Sequence, residues 1–465
     1  MTQTAADAPL KNPMLFPQGT QRSLITILIA AVLAWGAYQI LPYETNANKG
    51  LAILLFIAIL WFTEALHITV TALMVPVLAA VSGIPNMNTK QALAGFADPI
   101  IYIFFGGFAL ATALHVQKLD RKIALWLISL SRGNMLTAVL LLFAVTAFLS
   151  MWISNTATAA MMLPLALGMM NHLDRDKERK TFVFVLLGIA YSASIGGLGT
   201  LVGSPPNAIA AKALGLDFNG WMNYGLPIML ALMPLVLFSM YVVLRPNLRQ
   251  RVEVSGESIA WNTPRLLTLV VFVVTATAWI MGGQIKTHFG ITNPDTVVAL
   301  AAAVAVVALG LVTWQDVATN TDWGVLLLFG GGIALSALLQ NSGASLALGQ
   351  TLASGFLSTH PFLVILVVAA FIIMLTEFTS NTASAALLVP VFASIATQMN
   401  LPKEALVMVI GIGASCAFML PVATPPNAIV FGTGMIRQRE MMQVGLLLNL
   451  LSIALVALWA YFFLL

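Results

Sequence analysis

The chain reads as an all-α polytopic membrane protein built from two inverted repeats. Three observations point there: its apolar composition, a small polar island that occurs twice, and an opposite basic-residue bias at matched ends of the two halves. Hydrophobic residues make up 60% of the 465 and charged residues only 8%, where soluble domains carry about 25% charged. Such a composition predicts one unit embedded in membrane lipid rather than several soluble domains. The net charge of +4 calls for no acidic partner such as nucleic acid; the basic residues report orientation instead. Cys416 is the only cysteine, which excludes an intramolecular disulfide and a cysteine-based metal site and leaves a small buried packing residue.

Apolar segments long enough to cross a core of about 30 Å at about 1.5 Å per residue fall at 24–41, 50–66, 68–84, 99–116, 182–202, 222–244, 264–282, 295–313, 323–340, 405–422 and 441–464, about eleven spans. The first follows a polar N-terminus and has no small-residue cleavage pattern behind it, so it reads as a spanning helix rather than a signal peptide. Two further apolar stretches, 134–170 and 360–399, are each broken by the sequence Ser-Asn-Thr, at 154–156 and at 380–382. Each stretch is too long for one span and too polar at its centre for two. A re-entrant hairpin is predicted for both, because exposed backbone at a mid-membrane bend is tolerated only when buried in protein or lining a cavity.

The halves match block by block. Thr69 to Gly83 (TVTALMVPVLAAVSG) aligns with Thr296 to Gly310 (TVVALAAAVAVVALG), and Phe105-Gly106-Gly107 with Phe329-Gly330-Gly331. Ser150 to Pro164 (SMWISNTATAAMMLP) aligns with Thr376 to Pro390 (TEFTSNTASAALLVP), and Pro205-Pro206-Asn207 with Pro425-Pro426-Asn427. Four blocks in one order, at an offset of about 220–227 residues, are an internal duplication. The predicted organisation is a cytoplasmic N-terminus with the first span (1–48), a first repeat (49–245), a cytoplasmic linker (246–262) and a second repeat (263–465).

Charge sets the orientation. Lys118, Arg121, Lys122 and Arg132 follow the first FGG helix, and Arg175, Lys177, Arg179 and Lys180 follow the first hairpin. The matching ends of the second half are nearly bare, with Lys403 alone after the second hairpin. Equivalent ends therefore face opposite sides of the membrane. With the N-terminus cytoplasmic, these eight residues join Lys11, Arg22, Arg245, Arg249, Arg251, Arg265, Arg437 and Arg439 inside, sixteen in all, while Lys49, Lys90, Lys212, Lys286 and Lys403 make five outside. The C-terminus is then external. Inverted repeats with broken helices that meet near the bilayer centre are the architecture of secondary transporters.

The islands carry the chemistry. Ser, Thr and Asn supply hard neutral oxygens for a small cation, and the Asn amide and the hydroxyl protons donate to a carboxylate. Asn155 and Asn381 are placed to face both ligands. No Lys or Arg occurs in either island or in either Pro-Pro-Asn run, so a dianion there has no fixed cationic partner, and co-bound sodium ions would supply the missing charge. The proline pairs break helices and free carbonyls for an ion. One isolated Ser-Asn-Thr is explained by packing between helices; two at matched positions, each followed by Pro-Pro-Asn-Ala-Ile, favour a site. Glu64 and Glu377 are read equally as helix-end or interhelical anchors and as direct participants. Asp98 and Asp322 are predicted helix N-caps. The histidines, His67, His115, His172, His288 and His360, lack metal-ligand spacing. No acid/base pair, nucleophile or metal cluster is visible within the spans, so no enzyme is expected.

On the paired Ser-Asn-Thr signatures, TEFTSNT and MLPVATPPNAIV, the chain resembles the divalent anion/sodium symporter family, the solute carrier 13 group, and within it the bacterial sodium-coupled dicarboxylate transporters, over nearly its whole length from about Trp61. The resemblance implies a homodimer in the bacterial inner membrane, with eleven spans and two re-entrant hairpins per protomer and a transport domain that moves like an elevator against a scaffold. It implies sodium ligands at Ser150, Ser154, Asn155 and Gly203 for one ion and at Thr376, Thr379, Asn381 and Ala423 for the other, with Thr379 and Ala423 giving backbone carbonyls. It implies a substrate pocket of Ser154, Asn155, Thr156, Ser204, Pro205, Ser380, Asn381, Thr382, Thr424 and Pro425. The expected activity is sodium-coupled import of C4-dicarboxylates such as succinate, malate and fumarate. A sodium-independent dicarboxylate exchanger and a sodium symporter for citrate or sulfate stay open as alternatives; the absence of basic side chains near the sites favours symport.

Overall fold

The protein is described from a computed structural model, over residues 18–252, 259–356 and 359–465. Lys11 and the rest of 1–17, and residues 253–258 of the predicted linker, lie outside the described residues. Helix dominates because long apolar segments in lipid must satisfy every backbone group internally. After α1 (Gln18–Ile40) come α2 (Thr45–Thr63), α3 (Ile68–Val81), α4 (Thr89–Leu93), α5 (Pro99–Val116), α6 (Leu119–Ser129), α7 (Met135–Ser150), α8 (Asn155–Met169), α9 (Arg179–Gly196), α10 (Pro205–Leu214) and α11 (Phe218–Leu244). The remainder forms α12 (Thr263–Ile280), α13 (Gly282–Phe289), α14 (Pro294–Ala308), α15 (Trp314–Asn320), α16 (Trp323–Asn341), α17 (Ala344–Phe356), α18 (Pro361–Leu375), α19 (Asn381–Gln398), α20 (Lys403–Gly413), α21 (Pro425–Phe431) and α22 (Gln438–Leu464).

A helix lies at each of the eleven predicted spans, and each stretch predicted as a hairpin is two helices broken at its Ser-Asn-Thr, α7 and α8 in the first and α18 and α19 in the second. Among the described residues eight helices are long and apolar enough to cross a membrane, nine if the pair α13–α14, bent by 101°, counts as one span. This is fewer than the hydropathy reading because α3 has only 14 residues and the predicted span 405–422 is half helix. There α20 stops at Gly413 and the chain runs irregularly to Thr424 before α21 begins. α6 and α17 were not anticipated. α6 carries Asp120, Arg121 and Lys122 in its first turn while burying Leu119, Ala124, Leu125 and Ile128, an amphipathic pattern too short and too charged to span.

Two packed bodies emerge. α3 packs on α16 and α14 on α5, each pairing one repeat with the other. The second body gathers the hairpins around α9, which is buried from Thr181 to Gly196: α7 and α8 pack on α9, α18 and α19 on α20, α10 on α19, α21 on α8, and α11 on α22. The caps expected of Asp98 and Asp322 are present, accepting from the N–H of Ile100 at 3.1 Å and of Val325 at 3.1 Å. Cys416 is fully buried.

Candidate functional site

Ser154 and Ser380 cap the helices that follow them, accepting from the N–H of Ala157 (3.3 Å) and of Ala383 (3.4 Å). The Asn of each island is therefore the first helical residue of its arm, and the positive end of that helix points into the bend. Opposite each bend a helix breaks. α9 and α20 end in glycine, and α10 and α21 restart on Pro205 and Pro425, where a missing N–H costs nothing. The freed carbonyls find one partner in each repeat. Asn207 Nδ2 donates to Gly197 O and Thr200 O, both at 2.7 Å, and Asn427 Nδ2 donates to Ala417 O at 3.2 Å and Leu420 O at 3.0 Å. The asparagines of the Pro-Pro-Asn runs thus clamp the irregular segments.

Oxygens converge where bend and break meet. Ser150 Oγ lies 2.7 Å from Ala193 O and 2.7 Å from the Asn155 amide. A hydroxyl has one proton and cannot donate to two acceptors. With its nitrogen inward, the two N–H groups of Asn155 have three acceptors within reach, Ser150 Oγ (2.7 Å), Ala193 O (3.1 Å) and Gly203 O (3.2 Å). With its oxygen inward, the Asn155 Oδ1 lies within 3.2 Å of three other oxygens, a set of donors that suits a small hard cation. The second repeat repeats the plan, with Thr376 Oγ1 at 2.7 Å from Asn381 Oδ1 and 2.8 Å from Ala414 O. Close approach dictates the glycines of the first site: a Cβ on Gly197 would stand 2.5 Å from Asn155 Oδ1, and one on Gly203 2.4 Å from Gly197 O. The carbonyls of Ala193 and Ala414 escaped the sequence reading, since a main-chain oxygen leaves no mark on residue type.

Both bends open on one cavity of about 1230 Å³. Every residue expected to touch substrate lines it: Ser154, Asn155, Thr156, Ser204 and Pro205 from the first repeat, and Ser380, Asn381, Thr382, Thr424 and Pro425 from the second. Of the expected sodium ligands, Gly203, Thr379 and Ala423 also line it, while Ser150 and Thr376 lie fully buried behind. The Thr379 hydroxyl is engaged by Leu375 O (3.0 Å) and Ser384 Oγ (2.7 Å), which leaves its carbonyl as the available donor. No Lys or Arg is among the lining residues; the charged or titratable ones are Glu64, His115, Asp120 and Asp322. Asp120 pairs with His115 at 2.9 Å; burial raises its carboxyl above the usual range, against the lowering effect of the hydrogen bond from His115. Among the described residues no His, Cys, Asp or Glu cluster fits a metal ion.

The two glutamates differ in kind. Glu64 ends α2 in a left-handed conformation (φ 49°) and borders the cavity. Glu377 is buried and accepts from the N–H of Phe418 (2.7 Å), Met419 (2.9 Å) and Leu420 (3.1 Å) and from Asn449 Nδ2 (2.7 Å). It is an interhelical anchor for the irregular segment between α20 and α21.

The sodium:sulfate symporter transmembrane region matches residues 19–465. A Haemophilus influenzae protein described as an uncharacterized transporter is 55% identical over 94% of this chain and 96% of its own length. A sodium-dependent dicarboxylate transporter of Staphylococcus saprophyticus is 34% identical over 94% of this chain and 91% of its own. Among solved structures, the YdaH transporter of Alcanivorax borkumensis superposes with a TM-score of 0.56 at 13% identity, covering 96% of this chain and 99% of that one. The MtrF efflux pump of Neisseria gonorrhoeae gives 0.53 at 12%, covering 97% and 96%. At such identities these two speak to the fold alone.

Proposed function

Because the chain belongs to the divalent anion/sodium symporter family, whose sodium:sulfate symporter region it spans, we propose that it imports C4-dicarboxylates such as succinate, malate and fumarate together with sodium ions. The observation that carries the proposal is the pair of oxygen clusters, at Asn155 and Asn381, that flank one cavity without a fixed positive charge. A dianion in so apolar a setting requires compensation. Sodium held by Ser150, Ser154, Asn155 and Gly203, and a second ion held by Thr376, Thr379, Asn381 and Ala423, supplies it. The substrate carboxylates then take donors from Asn155, Thr156, Asn381 and Thr382 and the field of the α8 and α19 N-termini. Ion and anion travel together because neither site pair is neutral alone. The staphylococcal dicarboxylate transporter among the relatives supports this choice of substrate and ion.

In this reading the repeats are inverted, the N-terminus is cytoplasmic and the C-terminus external in the inner membrane, and the protein is a homodimer. The body of α3, α5, α14 and α16 is the scaffold, and the hairpin body slides against it as an elevator. His115, Asp120 and Asp322 line the cavity at the ends of α5 and α16 that the basic residues mark as cytoplasmic, so its opening is assigned to that side. Uptake of labelled succinate into proteoliposomes, driven by an inward sodium gradient and challenged with citrate and sulfate, tests the proposal. Sodium-dependent accumulation that unlabelled malate and fumarate suppress, and that citrate and sulfate leave intact, is expected. Counterflow that persists undiminished without sodium overturns symport in favour of exchange.

A further inference from the structure

At one end of the seam between the two bodies, two polar contacts cross it. Asp98, the N-cap of α5, lies 2.6 Å from the ammonium of Lys212, in the last turn of α10. Its side chain is only 12% exposed. Nearby, buried Asp295 of α14 accepts from the N–H of Phe218 at 2.7 Å, tying α14 to the start of α11, and Phe218 stacks on Trp279 of α12 with ring centroids 4.7 Å apart. α5 and α14 belong to one body, and α10 and α11 to the other.

The duplication tells what the opposite end of the seam holds. Asp322 matches Asp98, and Gly432, at the offset of the Pro-Pro-Asn runs, matches Lys212. Asp322 caps α16, faces the large cavity and has no ion pair among the described residues, and Gly432 has no side chain to offer it. Ile68 stands where Asp295 would be expected. On one side of the seam both carboxylates are thus engaged; on the other, Asp322 has no ion pair among the described residues and the position matching Asp295 is the apolar Ile68.

We propose that Asp98 and Lys212 form a latch on the outer side of the membrane that biases the transporter toward the inward-open conformation, with no counterpart to hold the outward-open one. The inference rests on the symport reading above for its sidedness and for the sliding of one body on the other. Moving the hairpin body outward separates the pair, and the inner seam returns no equivalent contact. Partial exposure of Lys212 keeps the bias modest, within the range of half-exposed ion pairs.

The test uses the full chain in detergent with Cys416→Ala and a reporter Ala160→Cys, since Ala160 is exposed on α8 in the large cavity. A polar maleimide is reacted in potassium buffer without sodium or dicarboxylate. D98N, which keeps an oxygen for the α5 cap, and K212M are each expected to slow labelling by about twofold and by no more than about fivefold, the double variant no more than either single one, and K212R not at all. Labelling that is unchanged or faster in D98N, or slowing that adds in the double variant, overturns the latch. Should K212M fail to fold, D98N alone decides. Because neither ion nor substrate enters the readout, its failure leaves the symport reading standing, and loss of sodium-coupled uptake leaves the latch standing.

Discussion

Asn155 and Asn381 open matched helices, each within 2.7 Å of the hydroxyl that ends the preceding arm, yet their surroundings differ by a methyl group at two places and by a carboxyl at a third. Gly197 and Gly203 of the first site correspond to Ala417 and Ala423 of the second, and Met151 corresponds to Glu377. Around Asn155 the backbone comes so close that no Cβ fits on Gly197. Around Asn381 there is room for one. What the second site lacks in close packing it replaces with Glu377, whose carboxyl gathers three successive amides of the irregular segment. In the first repeat Met151 offers only its carbonyl, which takes the Thr200 hydroxyl. The same oxygen geometry is therefore held by backbone contact in one repeat and by a buried acid in the other.

Removing the acid should produce the largest effect. Glu377→Ala leaves three amides and the Asn449 side chain without their acceptor and is expected to cost about 3–5 kcal/mol of stability, read as thermal unfolding of the purified protein in detergent; Met151→Ala, the matched change, should cost less than half as much. Next come the asparagines. Asn155→Ala and Asn381→Ala are each expected to lower succinate uptake roughly a hundredfold at equal expression, and a variant of either that accumulates substrate normally refutes the site assignment. Gly197→Ala inserts a methyl against Asn155 and should weaken sodium activation of uptake roughly tenfold, whereas Ala417→Gly should change it by under about threefold. The smallest effect belongs to Thr376→Ser. Ser150 already sets a hydroxyl at the same distance from Asn155 in the first repeat, so sodium affinity is expected to move by less than about threefold.

Much of this comparison was legible in the sequence because polar residues in an oily chain stand out, and a duplication makes each copy a control on the other. Ser154 and Ser380, the Asn residues behind them and the proline pairs all announced breaks in helices that hydropathy alone would have drawn straight. The eleven spans read less well where function interrupts them: 405–422 is apolar enough for a whole span, but its second half is irregular chain held by Glu377 and Asn427. The sequence left Glu377 undecided between anchoring and direct contact, since its partners are main-chain amides from a segment some forty residues away. Ala193 and Ala414 were invisible for the same reason. α6 and α17 leave no mark in hydropathy because neither is long enough to span, although the alternation of Leu119, Ala124, Leu125 and Ile128 with charged residues describes a helix lying along a surface.

Equilibrium binding of labelled succinate to the purified protein, titrated with sodium at constant ionic strength, probes the paired oxygen clusters most directly. Binding should be absent in potassium alone, rise with a Hill coefficient above one as sodium fills both clusters, and stay absent in Asn155→Ala and Asn381→Ala. Equal binding in potassium and sodium would mean that the dianion is held without the ions, and the clusters would then be structural hydrogen-bonding centres rather than sodium sites.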